Sequence, residues 1–128
     1  MRVLLDTHAF LWWLLDAPEL SADGRRILSD GSNEVLLSAV SGYELSYKVT
    51  QARLTLPEAP DVYVRSRLAS NGFGSLAIEL DHALRAATLP LIHRDPFDRL
   101  LVAQAQLEGI PIITRDPVIA QYDVEVIW

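Results

Sequence analysis

Five acidic residues are the side chains of this sequence best suited to chemistry. They come from well-separated parts of the chain: Asp6, Glu44, Asp95, Asp98 and Asp116. Carboxylates that meet in one cleft repel one another, and without a countercharge one or more of them would take up a proton. The usual countercharge is a divalent cation such as Mg²⁺ or Mn²⁺, which prefers oxygen ligands. Such ions can activate a water molecule and stabilise the leaving oxygen when a phosphodiester is hydrolysed.

Several other chemistries lack the residues that they need. The chain has no cysteine, which excludes thiol catalysis and every Cys-based metal site. It contains no Gly-x-Ser-x-Gly elbow, no Walker A loop and no Gly-x-Gly-x-x-Gly turn. Its three histidines, His8, His82 and His93, do not fall at zinc-binding spacing. A haloacid-dehalogenase phosphatase would need an aspartate where His8 stands, and a receiver domain would need paired acids near the first strand.

Each acid on its own also has a purely structural explanation. Asp6 can cap the helix that follows it, and Asp95 and Asp98 can do the same for a later helix. Glu44 can be a solvated helix residue, and Asp116 can be an ordinary turn residue. The case for a shared site therefore depends on where the fold places these residues relative to one another.

The elements that would position the acids alternate between strands and helices. Short apolar runs predict strands at residues 1–6, 34–38, 75–78, 110–114 and 124–128. Helical spacing predicts helices at residues 7–16, 21–28, 61–70, 81–89 and 95–108, and one or two helical turns at 117–122. A further helix is predicted to begin at Ser38 or Ser41 and to run to about Arg53.

This alternation predicts an α/β fold with a central, mostly parallel sheet of four to five short strands and helices on both faces. Ligands of such sheets bind just beyond the carboxyl ends of the strands. Asp6 and Ser38 end predicted strands, Glu44 lies shortly inside the helix after Ser38, and Asp116 follows the fourth strand. The fold is therefore expected to gather the acids at one edge of the sheet.

Length and composition restrict the possible classes further. The chain has 128 residues, of which 50% are apolar and 22% charged, and this predicts one folded domain over residues 1–128. The longest apolar run, residues 9–15, is too short to cross a bilayer, and Asp6 interrupts any secretory signal. We therefore expect a cytoplasmic protein without membrane association. The net charge of −6 argues against a protein that coats nucleic acid in general.

Four segments of the sequence together resemble a known family. They are Leu4-Leu-Asp-Thr-His8, Ser38-Ala-Val-Ser41 followed by Glu44 and Lys48, His93-Arg-Asp-Pro-Phe-Asp-Arg99, and Ile112-Ile-Thr-Arg-Asp116. In this order they closely resemble the PIN-domain ribonucleases, and specifically the VapC-like toxins of bacterial toxin–antitoxin pairs. The likeness spans essentially the whole chain. One departure is the pair Gly42-Tyr43, where related sequences usually carry larger apolar residues, and it puts the pose of Glu44 in question.

The resemblance implies an endoribonuclease that depends on Mg²⁺ or Mn²⁺. Attack by a metal-activated water, and not by the 2′-hydroxyl, would leave a 5′-phosphate and a 3′-hydroxyl. Four residues match the catalytic and metal-binding acids of the family: Asp6, Glu44, Asp98 and Asp116. Three others match positions beside this acidic cluster, where they would position it: Thr7, Asp95 and Thr114. The resemblance also implies a homodimer and an antitoxin that occupies the groove of the active site.

Several basic residues near the acids are candidates for contacting the RNA backbone: Lys48, Arg94, Arg99 and Arg115. Each can equally be the partner of a neighbouring acid, and Lys48 stands at helical ion-pair spacing from Glu44. Arg25 and Arg26 can also help to hold RNA, although a solvated helix face is the simpler explanation.

Two pairs of aromatic residues complete the set of candidates. Trp12 and Trp13 are adjacent on one predicted helix, so they cannot both face the same core. Tyr43 and Tyr47 stand four residues apart on another helix. One pair is predicted to pack in the core, and the other to mark a contact surface for a second copy or a partner.

The main alternative is a PIN-like binding or scaffold domain without catalytic activity. Domains of that kind normally lose one or more of the acids. Every expected acid is present here, and this favours the enzyme.

Overall fold

A five-stranded sheet forms the centre of the structure, a computed structural model that describes residues 1–128. Its strands lie in the order β3-β2-β1-β4-β5, and every neighbouring pair is parallel. The strands are β1 (Arg2–Leu5), β2 (Glu34–Ser38), β3 (Gly74–Leu76), β4 (Ile112–Ile113) and β5 (Val126–Ile127). The prediction of a mostly parallel sheet of four to five short strands is confirmed.

Six α-helices surround the sheet. They are α1 (Thr7–Leu14), α2 (Ala22–Ser29), α3 (Ala39–Thr50), α4 (Pro60–Asn71), α5 (Leu80–Thr88) and α6 (Pro96–Glu108). A short 3₁₀ turn, Ile119–Gln121, precedes β5. No helix combines the length and the apolar character that crossing a bilayer requires.

The helices cover both faces of the sheet, as predicted. Side chains alternate along β1, so that Leu4 joins one apolar cluster while Val3 and Leu5 join the other. The cluster around Leu4 is filled mainly by α5 and α6, with Leu101 fully buried in it. The cluster around Leu5 receives α1, α2 and α3, and Phe10 is buried at its centre.

Several predicted boundaries differ from those in the structure. Helix α5 begins at Leu80, one residue earlier than predicted, with Glu79 as its N-cap. The side chains of Glu79 and His82 each accept a hydrogen bond from the backbone N–H of the other residue. Asp81 therefore lies inside the first turn of the helix. Helix α3 is capped by Ser38 and ends at Thr50, just before Ala52 adopts a left-handed backbone with φ of 57°. Strand β4 is shorter than predicted and begins after Pro111, which has no N–H to donate to a neighbouring strand.

The order of the strands creates a crevice at the carboxyl ends of β1 and β4. From β1 the chain moves outward to β2 and β3, then returns to place β4 and β5 on the other side of β1. The connections after β1 and β4 therefore leave in opposite directions, and ligands of α/β sheets bind at such a point. Asp6 follows β1 and Thr114 follows β4 at this crevice.

Candidate metal centre

Asp6 is held in place by both of its carboxylate oxygens. It caps helix α1, where Oδ1 accepts a hydrogen bond of 2.7 Å from the backbone N–H of Ala9. Oδ2 accepts from the hydroxyl of Thr114, which itself accepts a 3.0 Å bond from the N–H of Asp116. Burial raises the pKa of Asp6, and these hydrogen bonds offset part of that effect. The residue is therefore a helix cap and, at the same time, a carboxylate at the crevice.

Glu44 lies on α3 with its side chain almost fully buried. The hydroxyl of Thr7 donates a 2.8 Å hydrogen bond to Oε1, and Thr7 also lies 2.9 Å from the Ser41 hydroxyl. The ammonium of Lys48 lies 2.8 Å from Oε2. Lys48 is thus the ion-pair partner of Glu44 in this structure, which is the simpler of its two predicted roles.

Gly42, of the pair Gly42-Tyr43, has open space around it. A Cβ added at Gly42 would meet no atom within 4 Å, so the glycine is not required by close packing. Helix α3 is fixed instead at its start, where the Ser38 hydroxyl caps the N–H of Val40 and lies 2.5 Å from the side-chain oxygen of Gln104.

Asp98 and Asp116 face one another across His93. The Nε2 atom of His93 lies 2.9 Å from Oδ2 of Asp98 and 3.2 Å from Oδ2 of Asp116. One ligand atom from each of these three residues falls within 4.8 Å of the other two, so that a single ion can reach all three. Asp98 stands in the first turn of α6, and Asp116 follows the turn after β4.

The pKa of Asp98 records the crowding of carboxylates. Burial and then the charge of Asp95 raise this pKa to about 7, with smaller contributions from Glu44 and Asp116, while His93 lowers it. Asp116 also raises the pKa of Asp6. Asp95, Glu44 and Asp116 therefore all act on Asp98, and Asp116 also acts on Asp6. A strongly raised carboxyl pKa of this kind marks a place where a cation would be favourable.

Sequence reasoning missed His93 as a site residue. It begins one of the segments that resemble the family, but the pattern of histidine spacing gives it no role as a ligand. The signal that could have found it is its place in the same short segment as Asp95 and Asp98. In the structure the backbone N–H of His93 donates a 2.7 Å hydrogen bond to the Tyr122 hydroxyl, and the ring Nδ1 accepts from the backbone N–H of Asp95 at 3.3 Å. These bonds aim Nε2 at the two carboxylates.

Asp95 has the geometry of a helix cap. Its Oδ1 accepts a 2.8 Å hydrogen bond from the N–H of Phe97, at the start of α6. The charge of this carboxyl still reaches Asp98, whose pKa it raises. Asp95 therefore caps the N-terminus of α6, the helix that carries Asp98, and the Asp95 carboxyl lies beside the acidic cluster.

Arg99 does not face the crevice, and the expectation that it contacts substrate needs correction. Its guanidinium is buried and donates to the carbonyls of Ala86 at 2.8 Å, Leu89 at 3.0 Å and Pro90 at 2.9 Å. Carbonyls at the end of a helix lack partners within that helix, and Arg99 supplies them for α5. Its role in this structure is to hold α5 and α6 together.

The other arginines differ in their surroundings. Arg94 and Arg115 are exposed, and the guanidinium of Arg115 lies over the ring of Trp12, 4.5 Å from its centre. Arg25 pairs with Asp16, and Arg26 pairs with Asp23 at 3.4 Å on the surface of α2. Arg25 and Arg26 thus form ion pairs on a solvated helix face, which was the simpler of their two predicted roles.

Trp12 and Trp13 face the same core, so the prediction that they cannot is wrong, while Tyr43 and Tyr47 lie at the surface. Trp13 packs against Phe73 and donates to Asn71 at 3.0 Å, while the adjacent Trp12 contacts Trp128. Both tryptophans pack against the apolar cluster around Leu5. Tyr43 and Tyr47 are stacked on one another at the surface, 60% and 46% exposed.

Comparison with known proteins agrees with the architecture. A family model described as "PIN domain" matches residues 3–125. Ribonuclease VapC22 of Mycobacterium tuberculosis is 30% identical over 115 residues, which cover 89% of this chain and 86% of that protein.

Solved structures with the same fold include toxin–antitoxin complexes. VapBC2 from Rickettsia felis, bound to a DNA fragment from its promoter, matches with a TM-score of 0.72 and 15% identity over 99% of this chain and 98% of its own. FitAcB from Neisseria gonorrhoeae matches with a TM-score of 0.63 and 23% identity over 98% and 96%. A toxin–antitoxin complex from Klebsiella pneumoniae matches with a TM-score of 0.64 and 20% identity over 98% and 96%. At these identities the likeness concerns the fold alone.

Proposed function

The chain belongs to the PIN domain family, and from this premise we propose that it is a divalent-metal-dependent endoribonuclease, the toxin of a toxin–antitoxin pair. The observation that carries the proposal is the crowding around Asp98, whose pKa is raised to about 7 by burial and by neighbouring carboxylates. An arrangement of acids that is this unfavourable without a cation is expected where a cation belongs. The 30% identity to a ribonuclease directs the proposal to RNA.

The residues at the crevice fit a divalent ion by their chemistry. Carboxylate oxygens of Asp6, Asp98 and Asp116, with Glu44, are the ligands that Mg²⁺ and Mn²⁺ prefer. The imidazole of His93 adds a nitrogen within reach of the same ion. When bound, such an ion would activate water and stabilise the charge of the leaving oxygen during phosphodiester hydrolysis.

The surrounding residues prepare the carboxylates for that role. Thr114 and the N–H of Ala9 fix both oxygens of Asp6, while Thr7 and Lys48 fix those of Glu44. Side chains held in this way need little rearrangement when substrate arrives, which is how preorganised sites favour the transition state. Lys48 also balances the charge of Glu44 before any metal binds.

We further propose that an antitoxin covers this site and that two copies of the chain pair. Toxin–antitoxin complexes among the solved structures of this fold support an antitoxin partner. A groove of about 330 Å³ between α3 and α4, lined by Gly42, Val64 and Leu68 among others, contains none of the site acids and offers a separate place for a partner segment. Exposed apolar residues such as Leu80, Leu84 and Leu91 support pairing between copies. The place of action would be the cytoplasm, where cellular RNA lies.

The test compares the wild-type chain with Asp6→Asn, a change that keeps the capping oxygen but removes the charge. We expect the purified wild-type chain to cleave single-stranded or looped RNA only with Mg²⁺ or Mn²⁺, and Asp6→Asn to lose about a thousandfold or more in rate, as loss of transition-state stabilisation predicts. Induced expression should arrest growth for the wild type, but not for Asp6→Asn. Cleavage is measured on labelled RNA and growth by culture density.

Two results would contradict the proposal at different levels. Cleavage that survives EDTA, or that is equal in Asp6→Asn, excludes the metal mechanism. Harmless expression of a wild-type chain that cleaves RNA in vitro excludes the toxin and leaves the nuclease. Circular dichroism of Asp6→Asn controls for folding.

A further inference from the structure

Four side chains beside the candidate metal centre form a cluster that the proposed chemistry does not use. The Arg115 guanidinium lies 4.5 Å from the centre of the Trp12 ring. The centres of the His8 and Trp128 rings lie 5.6 Å and 5.7 Å from that of Trp12. His8 and Arg115 are exposed, and the two tryptophans are half-buried. We call these four residues the stacking cluster.

The stacking cluster borders the metal centre on one side. Arg115 stands between Thr114, which donates to Asp6, and Asp116. His8 and Trp12 lie four residues apart on one face of α1, directly after Asp6. The charge of His8 reaches the Asp6 carboxyl and lowers its pKa. Trp128 follows β5 at the same edge of the sheet, since β4 and β5 are parallel neighbours.

The chemistry of the cluster suits a flat ligand. Arg115 forms no ion pair with an acidic residue, although Asp116 is its neighbour in the chain. Its guanidinium is held over an indole ring instead, where cation–π attraction keeps it in place. Unpaired RNA bases stack on aromatic rings and on guanidinium planes, and a positive charge there also attracts the phosphate backbone.

Resting on the proposed ribonuclease function, we propose that the stacking cluster binds one unpaired base of the RNA beside the bond to be cut. The base stacks on the exposed guanidinium of Arg115, which the Trp12 ring supports from behind, and lies beside the exposed ring of His8. The cluster thereby positions a single-stranded segment across the carboxylates, and a duplex, whose bases are already stacked, is excluded from it.

A cycle of changes in protein and RNA tests this role. The probe is a short single-stranded RNA that the wild type cleaves, together with a set in which one nucleotide at a time is abasic. We expect removal of one base near the cut to lower kcat/KM of the wild type about tenfold. Arg115→Gln should lower kcat/KM on the intact RNA by a similar factor, mainly through KM. The same abasic change should then have little further effect, because the two changes remove one interaction.

Three variants separate stacking from charge and from folding. Arg115→Lys keeps the positive charge but loses the planar guanidinium on which a base can stack, so its kcat/KM should fall as far as that of Arg115→Gln. Arg53→Gln removes the same charge beyond the far end of α3, at an exposed position, and should leave the kinetics unchanged. Trp12→Leu, checked for folding by circular dichroism, should also lose the discrimination against the abasic RNA.

The possible failures are distinguishable. If the wild type shows metal-dependent cleavage but treats abasic and intact RNA alike, the stacking role is wrong and the nuclease stands. Full activity of Arg115→Lys would show that charge alone acts there, which also overturns stacking. Unchanged RNA kinetics in Arg115→Gln, with weakened binding of a protein inhibitor, would assign the cluster to that partner instead. Absence of any metal-dependent cleavage would remove the proposed function, and the cluster's role with it.

Discussion

At the scale of single residues, the acids of the crevice combine a structural and a chemical role. Asp6 and Asp95 each cap a helix with one oxygen, while Asp116 raises the pKa of Asp6 and Asp95 raises that of Asp98. Sequence reasoning set these two explanations against one another, but a carboxylate has two oxygens and can satisfy both. The cost of placing several carboxylates together falls on Asp98, which is partly buried among like charges.

The raised pKa of Asp98 predicts a stabilising substitution. The folded-state pKa of about 7 lies above the unfolded value of 3.8, so the folded state holds the proton more tightly. Stability of the metal-free chain is therefore lost as pH rises from about 4 to about 7. Asp98→Asn removes this loss and should raise the free energy of unfolding by about 1–2 kcal/mol at pH 8, and by little at pH 4.

Urea unfolding in EDTA at several pH values measures this difference. Asp123→Asn, at an exposed position, is the matched control and should give a difference from wild type that stays flat with pH. A destabilised Asp98→Asn at pH 8 would show that the carboxylate is not strained in the metal-free fold.

At the scale of elements, helix α6 connects the core to the site. Its first turn carries Asp98, while Arg99, the next residue, is turned into the protein towards the end of α5. Adjacent residues on a helix point about 100° apart, so one can face the crevice and the other the interior. The anchoring of α6 by Arg99 therefore fixes where the Asp98 carboxylate stands.

Arg99→Lys should destabilise the protein by about 2–4 kcal/mol. A lysine keeps the charge but cannot reach three carbonyls with one ammonium, so buried acceptors lose their donors. Urea unfolding measures the change, and Arg94→Lys, at an exposed position in the preceding loop, should stay within about 0.5 kcal/mol of wild type. A stability equal to wild type, with only KM raised, would return Arg99 to the substrate-contacting role.

At the scale of the whole molecule, the net charge of −6 takes on a different meaning. This charge argued against general nucleic-acid binding, yet five of the 17 acidic residues lie in or beside one crevice. Bound cations would offset much of the negative charge of that region, so that RNA phosphates are attracted by the metal site and not by the surface as a whole. The acidic balance thus predicts strong dependence of the fold's stability on metal.

We expect saturating Mn²⁺ to raise the unfolding temperature by about 5–10 °C, because a ligand at a hundred times its Kd adds about 2.7 kcal/mol to the stability. EDTA should reverse the shift. Mg²⁺ should give a smaller one, since the nitrogen of His93 favours Mn²⁺, and His93→Gln should narrow the gap between the two ions. Differential scanning calorimetry measures all of these shifts, and an equal shift in Asp98→Asn would place the metal elsewhere.

Local patterns in the sequence determined the elements and most of the candidate acids. Apolar runs and capping residues predicted the parallel α/β sheet. In the structure Asp95, Glu44 and Asp116 raise the pKa of Asp98, and Asp116 raises that of Asp6. The helices and strands depend on neighbours a few residues apart, which a single sequence displays directly, whereas the meeting of the acids was inferred from the predicted sheet and from the family resemblance.

Only the tertiary structure decided which partners His93, Arg99 and Arg115 contact. His93 meets Asp116 because β4 returns beside β1 and because Tyr122 holds the loop before α6. Arg99 turns inward because α5 ends with carbonyls that need donors, and Arg115 lies over Trp12 because α1 and β4 adjoin at one edge. Such pairings join residues far apart in the chain, and they follow from strand order and burial, which no local spacing encodes.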